Sequence, residues 1–287
     1  MKVKVAIVNA FVDSENGGNP AGVVLDADAL NSEQKLAVAQ QVGLSETAFV
    51  SSSEVADFKL DFFTPQKQIA HCGHATIATF SLLSQLNKLD NQQTSKETID
   101  GKRDILVTGD FAYMSQLKPS YSQVEESNEA IYQAIGVSKD NVISPPIIAN
   151  TGNSFLIVGV ATIDILSAIT PNLPVITELS EKYGLIGVYV YTLESNVQGR
   201  DASTRMFAPY YGITEEAATG MAAGPLACFL YDRMNIDKDT MFVEQGYAMA
   251  IPSPSCIEVV LDVEQKQILG LKAGGVGKPS KYVEVEI

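Results

Sequence analysis

Two hydrophobic periods run along the chain. Met1-Lys2-Val3-Lys4-Val5-Ala6 alternates polar and apolar residues and predicts a short strand. A helical spacing begins at Asn31, with Gln34 three residues on as in a capping box and Leu36 and Val38 in apolar positions. Gly43 should stop that helix, and "ETAFVSS" continues as a strand. Residues 176–183 predict a similar helix, stopped by Gly184 and followed by "LIGVYVYT". Segments 75–89 and 222–230 differ, being apolar on nearly every side. Ile77, Phe80, Leu82, Leu83 and Leu86 in the first leave no polar face, so both predict helices buried all round.

These elements recur in one order. Gly18-Asn19 is echoed by Gly152-Asn153, Gly43-Leu44 by Gly184-Leu185, Phe63-Thr64-Pro65 by Phe207-Ala208-Pro209, and Gly73-His74-Ala75 by Gly220-Met221-Ala222. The spacing drifts from 134 residues (18 to 152) to 147 (73 to 220), as small loop insertions would make it. The expectation is an α+β fold of two pseudosymmetric halves. Each is a mostly antiparallel or mixed sheet wrapped around a central buried helix, with the active-site cleft between them. The seam falls near 120–126, which gives halves 1–120 and 121–271. Gly274-Gly275-Val276 reads as a turn before a final strand, "YVEVEI".

Composition narrows the function. The 287 residues are 46% hydrophobic and 19% charged, as in a soluble globular protein. No apolar run approaches the roughly 18 residues of a membrane span. The N-terminus lacks the apolar core of a signal peptide. Three cysteines form no disulfide framework, which suits a reducing cytosol. A net charge of −14 argues against nucleic acid and anionic membranes as partners. A small molecule or another protein remains.

"IAHCGHATIAT" (69–79) places both histidines of the chain around one cysteine, and three readings compete. A metal site is disfavoured, because residues 71, 72 and 74 in one short turn cannot all converge and no further histidine exists. A nucleophilic Cys72 would gain from a helix N-terminus, which favours thiolate. Its repeat partner is Thr219, which cannot do a second thiol's work. The preferred reading is an anion site: Gly73 and Gly220 open two buried helices whose first N–H groups suit a carboxylate.

Function should break the symmetry of a repeat. Glu46 lies three residues past Gly43, where the second half has Gly187. Its neighbours Leu44, Ala48 and Phe49 are apolar, so a carboxylate there is partly desolvated, as an acid/base group requires. The repeat sets it beside His74. His71 reads as a loop residue, and Arg205 as the ion-pair partner of Asp201 in preference to a substrate carboxylate. Cys228 and Cys256 read as core, and Tyr210 and Tyr211 as cleft lining or loop packing.

"VNAFVDSENGGNPAGVVL", "GLSETAFV", "FFTPQKQIAHCGHATIAT" and "MFAPYYGITEEAATGMAAGPLA" together resemble the phenazine-biosynthesis isomerase (PhzF-like) family over almost the whole chain. The resemblance implies two halves of the diaminopimelate-epimerase type, with the last strand (272–287) returning to the first half, and usually a homodimer. It also implies a cofactor-free isomerisation like that of trans-2,3-dihydro-3-hydroxyanthranilate, in which a glutamate moves a proton between carbons. By motif that glutamate is Glu46, the substrate-contacting residues are Gly73 and His74, and the second helix mouth is Gly220. Three departures stand out. Glu216 occupies the place of an aspartate, Met221 that of a serine, and Gln245-Gly246 is followed by Ala250-Ile251 where the family has glycine and arginine.

The sequence therefore points to an isomerase or epimerase of a small carboxylate metabolite, without cofactor or metal. Glu46 shuttles the proton, and Gly73, His74, Glu216, Gly220 and Met221 contact substrate. Neither Gly-x-Gly-x-x-Gly after a strand nor a Gly-x-x-x-x-Gly-Lys-Ser/Thr loop occurs. A thiol-dependent racemase using Cys72 and a metabolite-binding protein without chemistry are the alternatives.

Overall fold

The computed structural model describes residues 1–13 and 16–287. Ser14 and Glu15, within the motif at 8–25, lie outside the described residues. The chain forms two compact units, Met1–Ser115 with Gly274–Ile287, and Gln116–Ala273.

The first unit contains β1 (Lys2–Ala10), β2 (Asn19–Val24), α1 (Ser32–Val42), β3 (Thr47–Ser51), β4 (Phe58–Phe63), β5 (Gln68–Ile69), α2 (Gly73–Gln85), β6 (Gln93–Thr98), β7 (Gly101–Thr108) and β8 (Phe111–Gln116). The second contains β9 (Ser120–Ser122), α3 (Asn128–Ile135), β10 (Val142–Asn150), β11 (Ser154–Val160), α4 (Ile163–Ala168), α5 (Leu173–Tyr183), β12 (Leu185–Thr192), β13 (Ala202–Ala208), β14 (Ile213–Glu216), α6 (Gly220–Met234), β15 (Thr240–Gln245) and β16 (Ser255–Glu264). The last strand, β17 (Gln267–Glu286), begins in the second unit and ends in the first.

The fold is α+β and dominated by sheet. In the first unit β1, β2, β3, β4, β6, β7, β8 and β17 form a closed eight-stranded barrel, β17 pairing with both β8 and β1. Two of its pairs, β2–β3 and β4–β6, are parallel and need crossovers, which α1 and α2 supply. In the second unit the pairs β10–β11, β11–β12, β12–β13, β13–β14, β13–β15 and β15–β16 follow the same succession of antiparallel and parallel contacts as β1 to β7.

Local chemistry accounts for the helix ends. Asn31 and Gln34 form the capping box of α1, and Gly43 leaves it in the left-handed region at φ 67°. Gly184 does the same for α5 at φ 61°. That helix starts at Leu173, three residues before the expected 176, because Asn172 caps it and Pro174 follows in the first turn. Helix α2 is buried at every residue from 74 to 83. Its polar side chains survive there because Thr76 and Thr79 donate to the carbonyls of Cys72 (2.6 Å) and Ala75 (2.7 Å) one turn back. It ends at Gln85 rather than Leu89, since Asn87 turns the chain left-handed at φ 54°.

Three further expectations are corrected. Gly274 to Val276 make no turn, for β17 runs through them as extended chain. Cys256 is only half-buried, whereas Cys228 is fully buried as expected. Arg205 pairs with Glu215 and not Asp201, which accepts from Lys238 (2.5 Å) and the Phe242 N–H (2.8 Å). No helix among the described residues is long and apolar enough to cross a membrane.

Candidate active site

Glu46 lies between the Gly43 stop of α1 and the first residue of β3. Its carbonyl accepts from the Gly22 N–H at 3.0 Å, which fastens this corner to β2. The Glu46 side chain is 12% exposed and that of His74 is 5% exposed. His74 Nε2 stands 3.3 Å from Glu46 Oε2, and His74 Nδ1 stands 3.6 Å from Cys72 Sγ. Among the described residues Glu46 Oε2 is buried and accepts no aligned hydrogen bond. A buried acceptor left so costs about 1–3 kcal/mol.

Cys72 is the N-cap of α2 in the extended geometry usual there (φ −144°, ψ 124°), and His74 is the second residue of the helix. The Cys72 side chain does not cap the helix, whose N-terminus begins at Gly73.

Glu46 and Gly187 hold comparable places in the strand registers of the two units. Thr47 lies opposite Phe63 in β3–β4, and Val188 opposite Phe207 in β12–β13. The residues just before are Glu46 and Gly187. A Cβ at Gly187 would come within 2.3 Å of the Phe207 carbonyl oxygen, so no side chain fits there.

In the second unit, α6 opens at Gly220 with Thr219 as its N-cap, again without a side-chain cap. Thr219 is committed elsewhere, its hydroxyl donating to Glu216 Oε2 (3.0 Å) and accepting from Gln245 Nε2 (3.1 Å). Gln245, 1% exposed, also receives the Thr219 N–H (3.1 Å) and donates to the Glu216 carbonyl (2.7 Å). Gln116 donates to the Gly220 carbonyl at 2.9 Å. Met221 Sδ accepts from Asn153 Nδ2 at 3.3 Å. Pro225 has no N–H, so the Met221 carbonyl lacks its intrahelical donor.

Sequence reasoning missed Lys96 and Thr76. Lys96, in the polar strand "QTSKET", is 0% exposed. Its amine donates to Thr76 Oγ1 (2.6 Å), lies 3.3 Å from His71 Nδ1, and sits 5.0 Å from the Phe62 ring centroid. Burial pulls its pKa down to about 7 and that of His71 down to about 3. A lysine in such a strand reads as surface, and no sequence signal marks it. Tyr210 and Tyr211 are both exposed, with their rings edge to face.

The sequence profile described as phenazine biosynthesis-like protein (PhzC-PhzF) matches residues 8–275. The chain belongs to this family. It is 28% identical to the uncharacterized isomerase YddE of Salmonella typhimurium, over 93% of each chain. It is 30% identical to the trans-2,3-dihydro-3-hydroxyanthranilate isomerase of Pseudomonas chlororaphis, over 86% of this chain and 87% of that one. A Bacillus anthracis phenazine biosynthesis protein of the PhzF family superposes at TM-score 0.91, with 30% identity and full coverage of both chains. The protein is thus an isomerase of the PhzF-like family.

Proposed function

We propose that the protein moves a proton between carbons of a small carboxylate metabolite, with Glu46 as general acid and base. The observation that carries this reading is Glu46 Oε2, buried, without an aligned donor and 3.3 Å from His74 Nε2. A carboxylate so placed takes a proton from a substrate carbon and returns it to another, while His74 fixes its orientation. The uncapped N-terminus of α2, beginning at Gly73, holds the substrate carboxylate. Gly220, Glu216 and Met221 are assigned further substrate contacts. We read the two units as copies of one fold, supported by the shared succession of strand pairings.

Incubation with candidate carboxylates in D₂O, followed by NMR, detects solvent deuterium arriving at carbon. Glu46→Gln should lower that exchange by about 10²- to 10⁴-fold with the fold intact. Activity within roughly threefold of the native chain overturns the assignment. The hydroxyanthranilate substrate named for the Pseudomonas chlororaphis relative should turn over poorly, because Met221 offers an apolar thioether where the family resemblance implies a serine hydroxyl. Met221→Ser with Glu216→Asp should raise that turnover by more than the two single changes combined. A kcat/KM above about 10⁴ M⁻¹s⁻¹ for the native chain on that compound refutes the argument.

A further inference from the structure

The trio around His74 has a second chemical capacity. The ligand-forming atoms of Glu46, Cys72 and His74 all lie within 4.8 Å of one another. Sequence spacing argued against a metal at residues 71, 72 and 74, and His71 does face Lys96 instead. The third donor comes from another segment, the corner before β3. We propose that Glu46, Cys72 and His74 bind a thiophilic divalent cation, zinc foremost, and that its occupancy shuts off proton transfer. The binding claim stands on the three donors. The inhibition clause rests on the reading of Glu46 as acid and base.

The donor set fits zinc. Tetrahedral zinc with bonds of about 2.0–2.3 Å holds its ligands about 3.3–3.8 Å apart, so the observed group closes on an ion by about 1 Å of side-chain rotation. Cys72 Sγ stands 3.6 Å from His74 Nδ1 and Glu46 Oε2 stands 3.3 Å from His74 Nε2, so whichever ring nitrogen binds the ion has one donor already at ligand spacing, and the other donor closes from within 4.8 Å. Thiolate and carboxylate together neutralise a divalent ion, which removes the main penalty for placing charge among side chains this buried. Three protein donors leave the fourth position to water. A thiolate in the set selects zinc or cadmium over magnesium and calcium. The positive end of α2 and the Lys96 amine, bonded to Thr76 on the same helix, oppose any cation. The expected dissociation constant is therefore on the order of 1 μM, far weaker than a structural zinc site.

Zinc titration of the chelator-treated full chain against a metallochromic indicator should find one site per chain. Cobalt in its place should give a thiolate charge-transfer band in the near ultraviolet. Cys72→Ser should abolish that band and weaken zinc by about tenfold or more, and Glu46→Gln should weaken zinc similarly. Cys228→Ser and Cys256→Ser should change neither. In the unmutated chain, zinc should slow alkylation of Cys72 by iodoacetamide, read by peptide mass spectrometry, which needs no variant to fold. Failure of the proton-transfer reading would leave these binding results standing. A cobalt complex without the thiolate band, unchanged zinc affinity in Cys72→Ser, or unprotected Cys72 in the native chain each overturns the site. Retained deuterium exchange with the site saturated overturns the inhibition clause.

Discussion

Lys96 gives the sharpest physical test, because its amine is buried and, among the described residues, forms no ion pair with a carboxylate. Its amine has a hydroxyl, an imidazole and an aromatic face around it, and its pKa falls from 10.5 to about 7. The folded-state pKa lies below the unfolded one, so between pH 7 and 10.5 the unfolded chain holds more protons and stability must rise with pH. Below pH 7 both states are charged, and the full cost of the buried ammonium is present. With these two values, the native chain should gain roughly 2.5–3 kcal/mol between about pH 6 and pH 9 from this group alone. Lys96→Met keeps the unbranched shape and removes the titration. Urea unfolding of both chains across that range isolates the Lys96 contribution as the difference between the two curves. Lys96→Met should be the more stable chain at pH 6, with its advantage shrinking by roughly 2.5–3 kcal/mol by pH 9. Curves that stay parallel within about 0.5 kcal/mol would refute the assignment of a buried, titrating amine.

Other consequences follow from single contacts. Arg205 donates to both oxygens of Glu215 at 2.8 Å and to the carbonyls of Leu166, Ser167 and Ile169. Arg205→Met should therefore cost about 3–5 kcal/mol in urea unfolding, and adding Glu215→Met should recover part of that loss. Gln245→Ala strips the Thr219 N–H and the Glu216 carbonyl of their partner, costing about 2–4 kcal/mol, and should speed amide exchange at Thr219. Asn31→Ala removes one side of the α1 capping box and should cost about 1 kcal/mol by thermal unfolding.

Features governed by near neighbours were legible in the sequence. The capping box at Asn31 and Gln34, and the left-handed exits at Gly43 and Gly184, depend on atoms within four residues, and the structure has all of them. The burial of α2 and α6 follows from composition alone, because a helix without a polar face has no stable place in water. The place of Glu46 before a strand was visible too. What the sequence could not supply were contacts set by strand register. Asp201 is nearer to Arg205 in sequence, yet the β13–β14 ladder puts Met206 opposite Glu216, and Arg205 reaches Glu215. Lys96 looked like surface until barrel closure turned it inward against α2 and His71. The same closure carried β17 straight through Gly274 and Gly275, because pairing with β1 and β8 overrides a local preference for a turn. The expectation already set Glu46 beside His74, whereas only the folded backbone decided that Cys72 Sγ joins them, because contacts between a helix mouth and a corner from another segment depend on tertiary packing.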